Sequence, residues 1–375
     1  MAMKTLLILS FSDISADARV LKQVTAFRDR YEVTTCGYGP APEGVAHHVQ
    51  LPSTEEVWRY SRRLLLLRQY ARAYRENGAI RAATEALADR RFDVILANDV
   101  DAVPLALSLR PRAGVHADLH EFAPAQKSEL LRWRLFVSPF MAWLCRTAVT
   151  RASSVSTVAH GIAREYRRRF GITASVVTNA TPYVDLEPTA VHDPLALVHS
   201  GACFRNRHLG IMLDAVEKAR TPVTLDLYLT PNDPAYLAEL RQRAQGLPGV
   251  RVHDPVPYPQ LVATLHDYDL GVFILPPVNA NYRWALPNKL FDFIQARLGV
   301  VVGPSAEMAE LVRAEGFGLV TPDFGGDSLA RILDGLTPER VAALKQRSNE
   351  VARPLSSETQ LAGWGAAVDR LVRNE

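Results

Sequence analysis

Apolar and polar positions alternate in blocks along the first half of this chain. Thr5–Phe11 (TLLILSF) is a short apolar run closed by a polar loop, and Val20–Phe27 follows with helical spacing. Tyr31–Cys36 (YEVTTC) is rich in β-branched residues and predicts a second strand. Arg62–Leu87 keeps an Arg-rich helical pattern long enough for one extended helix. Phe92–Ala97 (FDVILA) predicts a buried strand that runs into Asn98-Asp99, and Gly114–Leu119 predicts another that ends in His120-Glu121. Ser153–Val158 and Ala174–Val177 complete the series. Strand, polar loop, helix, strand is the pattern of parallel βαβ units.

Thr181–Pro194 (TPYVDLEPTAVHDP) interrupts this pattern with three prolines and no sustained period, which predicts an interdomain linker. The alternation then resumes. Strands are predicted at Leu195–His199, Val223–Leu229, Val250–His253, Leu270–Leu275 and Val300–Val302. Helices are predicted between them, including Asn288–Ala296, and an amphipathic helix at Glu358–Arg373 ends the chain. The expected fold is α/β, with two doubly wound Rossmann-like domains. Such sheets bind ligands beyond the carboxyl ends of their strands, so the cleft that the two domains face is the expected site.

Length agrees with this division: 375 residues suffice for about two domains at roughly 150 each. No run of about 18 residues lacks charge, which argues against a spanning helix, and Met1–Asp13 reads as a first strand rather than a leader. Cys36, Cys145 and Cys203 have no metal or redox spacing and fit a reduced, cytoplasmic protein. Charge is uneven: up to Asp185 there are 25 Lys and Arg against 18 Asp and Glu, while the remainder has 18 against 22. The basic excess lies in the first half and suits an anionic acceptor or a membrane surface. Trp58–Arg75 has six Arg and no acid, and Leu130–Arg164 has five Arg, again no acid, with Trp133, Phe136, Phe140 and Trp143 among them. Basic and aromatic residues at helical spacing fit either an anionic bilayer surface or a solvated face over a buried stripe. The mildly basic composition carries no nucleic-acid recognition motif, so no nucleic-acid partner is expected.

The familiar short signatures are missing. No GxGxxG follows the first strand, and there is no Walker loop, HExxH or GxSxG. Four loops carry dense polar chemistry instead: Ala97–Asp101, Asp118–Glu121, Ser200–Arg207 and Ala285–Asp292. In the last, Pro287 sits at a helix start, where backbone N–H groups and the helix dipole attract phosphate. Lys289 in that first turn opposes the dipole, so its placement makes most sense beside a bound anion. Asp292, one turn on, suits a ribose diol. Each residue also has an ordinary alternative: Arg207 and Lys289 as surface charge at helix starts, Asp292 as a helix-surface carboxylate, and Asp17, Asp99 and Asp101 as helix caps.

The stretch Pro287–Val301 (PNKLFDFIQARLGVV) resembles the donor-binding helix of GT-B glycosyltransferases, specifically glycosyltransferase family 4. Asp17-Ala18-Arg19-Val20, Asn98-Asp99, Asp118–Glu121, Val176–Asn179, Gly201–Arg207 and the Trp364 helix resemble further elements of that family, in the same order. Three departures stand out. Ala202 replaces the Arg that commonly follows the loop glycine, with Arg205 nearby as a substitute. Arg207 stands for the family's Lys. Trp284 occupies the place of an acid that contacts the donor sugar in many members.

The resemblance implies an acceptor-binding domain over residues 1–185, a donor-binding domain over 186–354, and a terminal helix over 355–375 that crosses back to the first domain. It implies transfer of a sugar from a nucleotide-diphosphate sugar to an acceptor, with retention of anomeric configuration and neither metal nor other cofactor. Gly201, Arg205, Arg207, Val256, Asn288, Lys289, Leu290 and Asp292 would bind the donor, with the base near Asp254–Tyr258. His120, Arg207 and Lys289 would be catalytic, and Asp13, Arg19, Asp99 and Glu121 would meet the acceptor. The acceptor's identity stays open, with an anionic or lipid-linked molecule and peripheral contact at the inner face of the membrane among the expectations. Alternatives are a sugar-nucleotide epimerase or hydrolase on the same fold, and a non-catalytic nucleotide-sugar-binding relative.

Overall fold

The computed structural model describes residues 3–373. The chain divides into two units: one takes residues up to Thr178, Asn279–Asn281 and the chain from Gln360 onward, and the other takes Asn179–Val278 and Tyr282–Thr359. The main division thus falls between Thr178 and Asn179, ahead of the boundary at 185 that the sequence suggests.

Seven parallel strands form the sheet of the first unit: β1 (Lys4–Asp13), β2 (Tyr31–Tyr38), β3 (His47–Gln50), β4 (Val94–Asn98), β5 (Gly114–Leu119), β6 (Ser154–Thr157) and β7 (Ser175–Val176). Their order is β3-β2-β1-β4-β5-β6-β7, so the direction of winding reverses between β1 and β4. Leu6, Leu7, Ile8 and Leu9 of β1 are all fully buried. An unbroken apolar run is what a parallel sheet covered on both faces requires. The terminal helix Ser357–Arg373 adds Trp364 and Val368 to a cluster with Leu6, Ile8, Val20, Val24 and Val94 of this unit, as the resemblance implies for that helix.

The second unit repeats the plan with β8 (Leu195–Ala202), β9 (Val223–Thr230), β10 (Val250–His253), β11 (Leu270–Phe273), β12 (Gly299–Val302) and β13 (Gly318–Val320). The order is β10-β9-β8-β11-β12-β13, with the reversal between β8 and β11. Such reversals open space beyond the carboxyl ends of the strands.

Two expectations are corrected. Arg62–Leu87 is three helices, Arg62–Leu66, Tyr70–Arg75 and Gly78–Leu87, rather than one. Arg68 breaks the first junction with a left-handed φ of 52°. At the second, the Asn77 side chain accepts from the Ile80 N–H at 3.2 Å and donates to the Val57 carbonyl at 2.9 Å, so it caps a new helix. The proline-rich segment after Thr181 is no free linker but part of the second unit. The buried Arg297 guanidinium donates to the carbonyls of Val184 at 2.7 Å and Leu186 at 3.1 Å, and the Val184 N–H donates to Gln295 Oε1 at 3.1 Å. Strands β3 and β13 carry no strong apolar alternation and escape the sequence pattern.

Candidate functional site

In the second unit, a pocket of about 450 Å³ lies beyond the ends of β8 and β9 and against the start of the Asn288–Gln295 helix. Gly201, Arg207, Val256, Asn288, Lys289 and Asp292 all line it. Six of the expected donor-site residues therefore converge. Two do not: Leu290 is buried in the core, and Arg205 is an exposed side chain bound bidentately to Glu239 at 2.7 and 2.8 Å.

Lys289 is the centre of the arrangement. It is only 7% exposed, its Nζ lies 3.0 Å from His199 Nε2, and it sits 4.0 Å from the centroid of the Phe273 ring. His199 Nδ1 lies 2.8 Å from the Val272 carbonyl, which can only accept. Nδ1 therefore carries the proton, and Nε2 is left to accept from Lys289. Gly201 makes room for this lysine. Its φ of +134° demands glycine, and a Cβ there would stand 2.8 Å from Lys289 Nζ, so a side chain would also displace the lysine. Burial and then the Arg207 guanidinium hold the Lys289 amine well below its ordinary value, with Asp292 working the other way. Burial and the neighbouring Lys289 likewise push His199 well down.

Arg207 has a buried Nε with no hydrogen-bond partner among the described residues, an orphan donor on a residue that lines the pocket. Asp292 is buried, and its Oδ1 accepts from Thr181 Oγ1 at 2.6 Å. Tyr258 also lines the pocket; burial and then Asp292 push its phenol up to about 12. Tyr258 ends the segment Asp254–Tyr258 expected near the base, whereas His199 and Thr181 were not singled out as site residues in the sequence. His199 lies two residues before Gly201 on β8, and only the packed structure brings it against a helix-start lysine.

The first unit gathers a second polar group at the ends of β4 and β5. The His120 N–H donates to Asp99 Oδ1 at 2.9 Å, and the ring has Nδ1 3.4 Å from Asp99 Oδ2, Nε2 3.2 Å from Asn98 Oδ1 and Nε2 3.6 Å from Asp118 Oδ2. Asp99 reaches it from a left-handed φ of 63°. Burial disfavours the charged imidazole, but Asp99 and Asp118 outweigh burial and push it up to about 9. Glu121 is pushed up to about 7, first by burial and then by Asp99, and its Oε2 accepts from Asn281 Nδ2 at 2.9 Å.

Arg19 lies under this group rather than at its surface. It is 2% exposed and grips Asp118 with two bonds of 2.7 Å, with its guanidinium 4.6 Å from the centroid of the Trp364 ring. Burial would raise Asp118, but Arg19 and its other donors hold the carboxyl well below its usual range. Asp13 is exposed at the end of β1, and its Oδ1 accepts from Ser15 N–H at 3.1 Å and Ser15 Oγ at 2.6 Å. Asp17 caps the first helix through the Arg19 and Val20 N–H groups. Asp101 is drawn inward, where it accepts from the Tyr60 hydroxyl. Among the described residues, no group of three or more His, Cys, Asp and Glu side chains is arranged to hold a metal ion.

No protein-family model matches the chain, and no curated protein matches it. Solved structures do. Anabaena Alr3699/HepE in complex with UDP-glucose is similar with a TM-score of 0.73 at 14% identity, over 98% of this chain and 100% of that one. Sucrose-phosphate synthase from Thermosynechococcus elongatus is similar with a TM-score of 0.71 at 15% identity, over 99% and 100%. An α,α-trehalose-phosphate synthase (UDP-forming) from Burkholderia vietnamiensis gives 0.68 at 11%, over 99% and 100%. Likeness at these identities shows the fold, which is the GT-B type with two Rossmann-like α/β domains.

Proposed function

We propose that this chain is a GT-B glycosyltransferase that moves a sugar from a nucleotide-diphosphate sugar to an acceptor, with retention of anomeric configuration. One observation carries the reading: a buried lysine, an arginine with an orphan donor and a buried carboxylate share one pocket at a helix start in the second unit. Donor binding follows from that chemistry. Asn288 and its helix start receive phosphate oxygens, Arg207 and Lys289 meet the diphosphate, and Asp292 with Thr181 holds the ribose. As the sugar–phosphate bond breaks, negative charge grows on the departing diphosphate. Fixed cations then stabilise the transition state more than the ground state. The reading assigns that work to side chains and calls for no metal. A structure of similar fold holding UDP-glucose, the HepE complex, supports a nucleotide sugar as the ligand class.

The first unit takes the acceptor. His120, held protonated by Asp99 and Asp118, serves as a hydrogen-bond donor rather than a base at neutral pH. Glu121, pushed up to about 7, is the group there poised to exchange a proton. Arg19 is a positioning residue: it fixes Asp118, which in turn sets the charge on His120.

Calorimetric titration with UDP, GDP, dTDP and ADP and their glucose esters tests the donor reading. Submicromolar to millimolar binding of one base series, lost in Arg207→Ala, is the expected result. Absence of binding by all of them would overturn it. Product analysis then separates the rivals, since an epimerase or hydrolase consumes donor without any acceptor. A binding-only relative, which Trp284 in place of an acid would suit, consumes none.

A further inference from the structure

The donor chemistry leaves unused a groove of about 560 Å³ in the first unit. Its apolar lining includes Leu66, Leu130, Trp133 and Phe136, and its charged lining is Arg62, Lys127 and Arg132. The two segments that form it meet where the Arg62–Leu66 helix packs on Trp133–Val137, a π-helical turn. They also carry a large share of the chain's exposed apolar side chains. Leu66, Leu67, Leu130, Leu131 and Leu135 are each more than half exposed. Leu66 and Leu130 line the groove and the other three flank its lining residues in sequence; exposed leucines in such number are costly in water and mark an interaction site. Trp133 Nε1 is buried with no hydrogen-bond partner among the described residues, and the Lys127 ammonium lies 5.7 Å from the centroid of its ring.

Charge selects the occupant. Glu129 is the one acid between Lys127 and Arg164, and Arg59–Arg75 has none. A second copy docked across a two-fold axis would set these cations against themselves. An anionic bilayer satisfies both features at once: headgroup phosphates meet the cations while leucine side chains enter the acyl boundary. We propose that this groove and its leucine-bearing rim are a docking surface for the surface of an anionic phospholipid bilayer. Among the described residues no helix is long and apolar enough to cross a membrane. The docking surface is independent of the donor pocket, whose lining residues all belong to the second unit.

Flotation of the full chain with vesicles is the test, using phosphatidylcholine alone and with about one third phosphatidylglycerol, at roughly 50 and 500 mM NaCl. Binding should be at least tenfold stronger to the anionic vesicles and should be lost at the higher salt. Arg62→Gln, Lys127→Gln and Arg132→Gln together should weaken it roughly 100-fold. All three side chains are exposed, so the variant should keep its fold and its UDP-induced rise in melting temperature. Leu66→Ser with Leu131→Ser should weaken vesicle binding about tenfold through lost apolar contact. Brominated lipid should quench fluorescence that disappears in Trp133→Phe. Equal binding to neutral vesicles, no vesicle binding at low salt, or a concentration-dependent dimer abolished by the leucine changes would each overturn the proposal. UDP binding is read separately, so failure here is distinct from failure of the donor reading.

Discussion

Lys289→Met isolates the residue on which the proposed donor site turns. Methionine keeps the length of the side chain and its contact with the Phe273 ring, now 4.0 Å from the ammonium, but removes the charge. Two effects on the free protein oppose each other. Losing the 3.0 Å bond leaves His199 Nε2 without its donor, at about 1–3 kcal/mol. Removing an amine that burial and Arg207 both disfavour relieves a penalty of similar kind. The melting temperature should therefore move by only a few degrees. Binding should suffer far more. A charge-assisted hydrogen bond is worth about 1.5–3 kcal/mol, so UDP affinity should fall roughly 10- to 150-fold. The same geometry predicts a proton count. Because burial and Arg207 lower the amine's pKa and an arriving diphosphate raises it again, binding should take up a proton wherever the pH lies between the free and bound values. Calorimetry stepped upward from about pH 7.5, where the diphosphate is already ionised, should show a window of proton uptake in buffers of different ionisation enthalpy. That uptake should disappear in Lys289→Met. If the variant binds UDP within threefold of the parent, or if proton uptake is the same in both, Lys289 does not meet the diphosphate.

The same structure predicts three further outcomes. Arg207→Ala should weaken UDP binding at least tenfold while Arg205→Ala leaves it within about threefold, because Arg205 is spent on Glu239; equal losses in a side-by-side titration would refute this. The His120 imidazole, followed by NMR, should titrate near 9. Its pairing with Asp99 and Asp118 stabilises the fold fully below the unfolded value of about 6.5 and is lost as pH rises through about 9. The melting-temperature gap to His120→Asn should close over that window, with UDP affinity unchanged. Arg19→Met should cost about 3–5 kcal/mol in chemical denaturation, since it strands a buried carboxylate; pairing it with Asp118→Asn should recover part of the loss.

The sequence made the fold legible because both sheets are parallel and buried. Runs such as Leu6–Leu9 and Val300–Val302 are apolar at every position, and each ends in a polar loop. It was less informative where a single polar side chain decides the geometry. Asn77 looks like one more polar position in a helical pattern until it caps Ile80 and binds Val57 at once. Tyr183–Leu186 has the composition of a linker, but the buried Arg297 binds its carbonyls. In the proposed donor pocket, Gly201, Arg207, Lys289 and Asp292 are visible as residue types in suggestive loops. Their partners His199 and Thr181 are not, since the contacts span 90 and 111 positions of sequence. Arg205 illustrates the opposite failure: loop position alone could not reveal that Glu239 holds it.

Sequence position also says little about which proton a group holds, and here the two units diverge through the same physics. Lys289 is buried and His120 partly buried, at the ends of parallel strands or the helix start beside them, and desolvation alone favours the neutral form of each. The difference lies in the company they keep. His120 has Asp99 and Asp118 against its ring, so the cation survives and the imidazole becomes a permanent donor near neutral pH. Lys289 faces Arg207 and a histidine whose charged form burial disfavours, with Asp292 working the other way, so its cation is disfavoured until an anion offsets them. Paired groups pushed in opposite directions are how acid, base and electrostatic roles are told apart at a site. On the proposed reading the second unit registers the arrival of a diphosphate, while the first keeps a protonated imidazole between two carboxylates whether or not any ligand is bound.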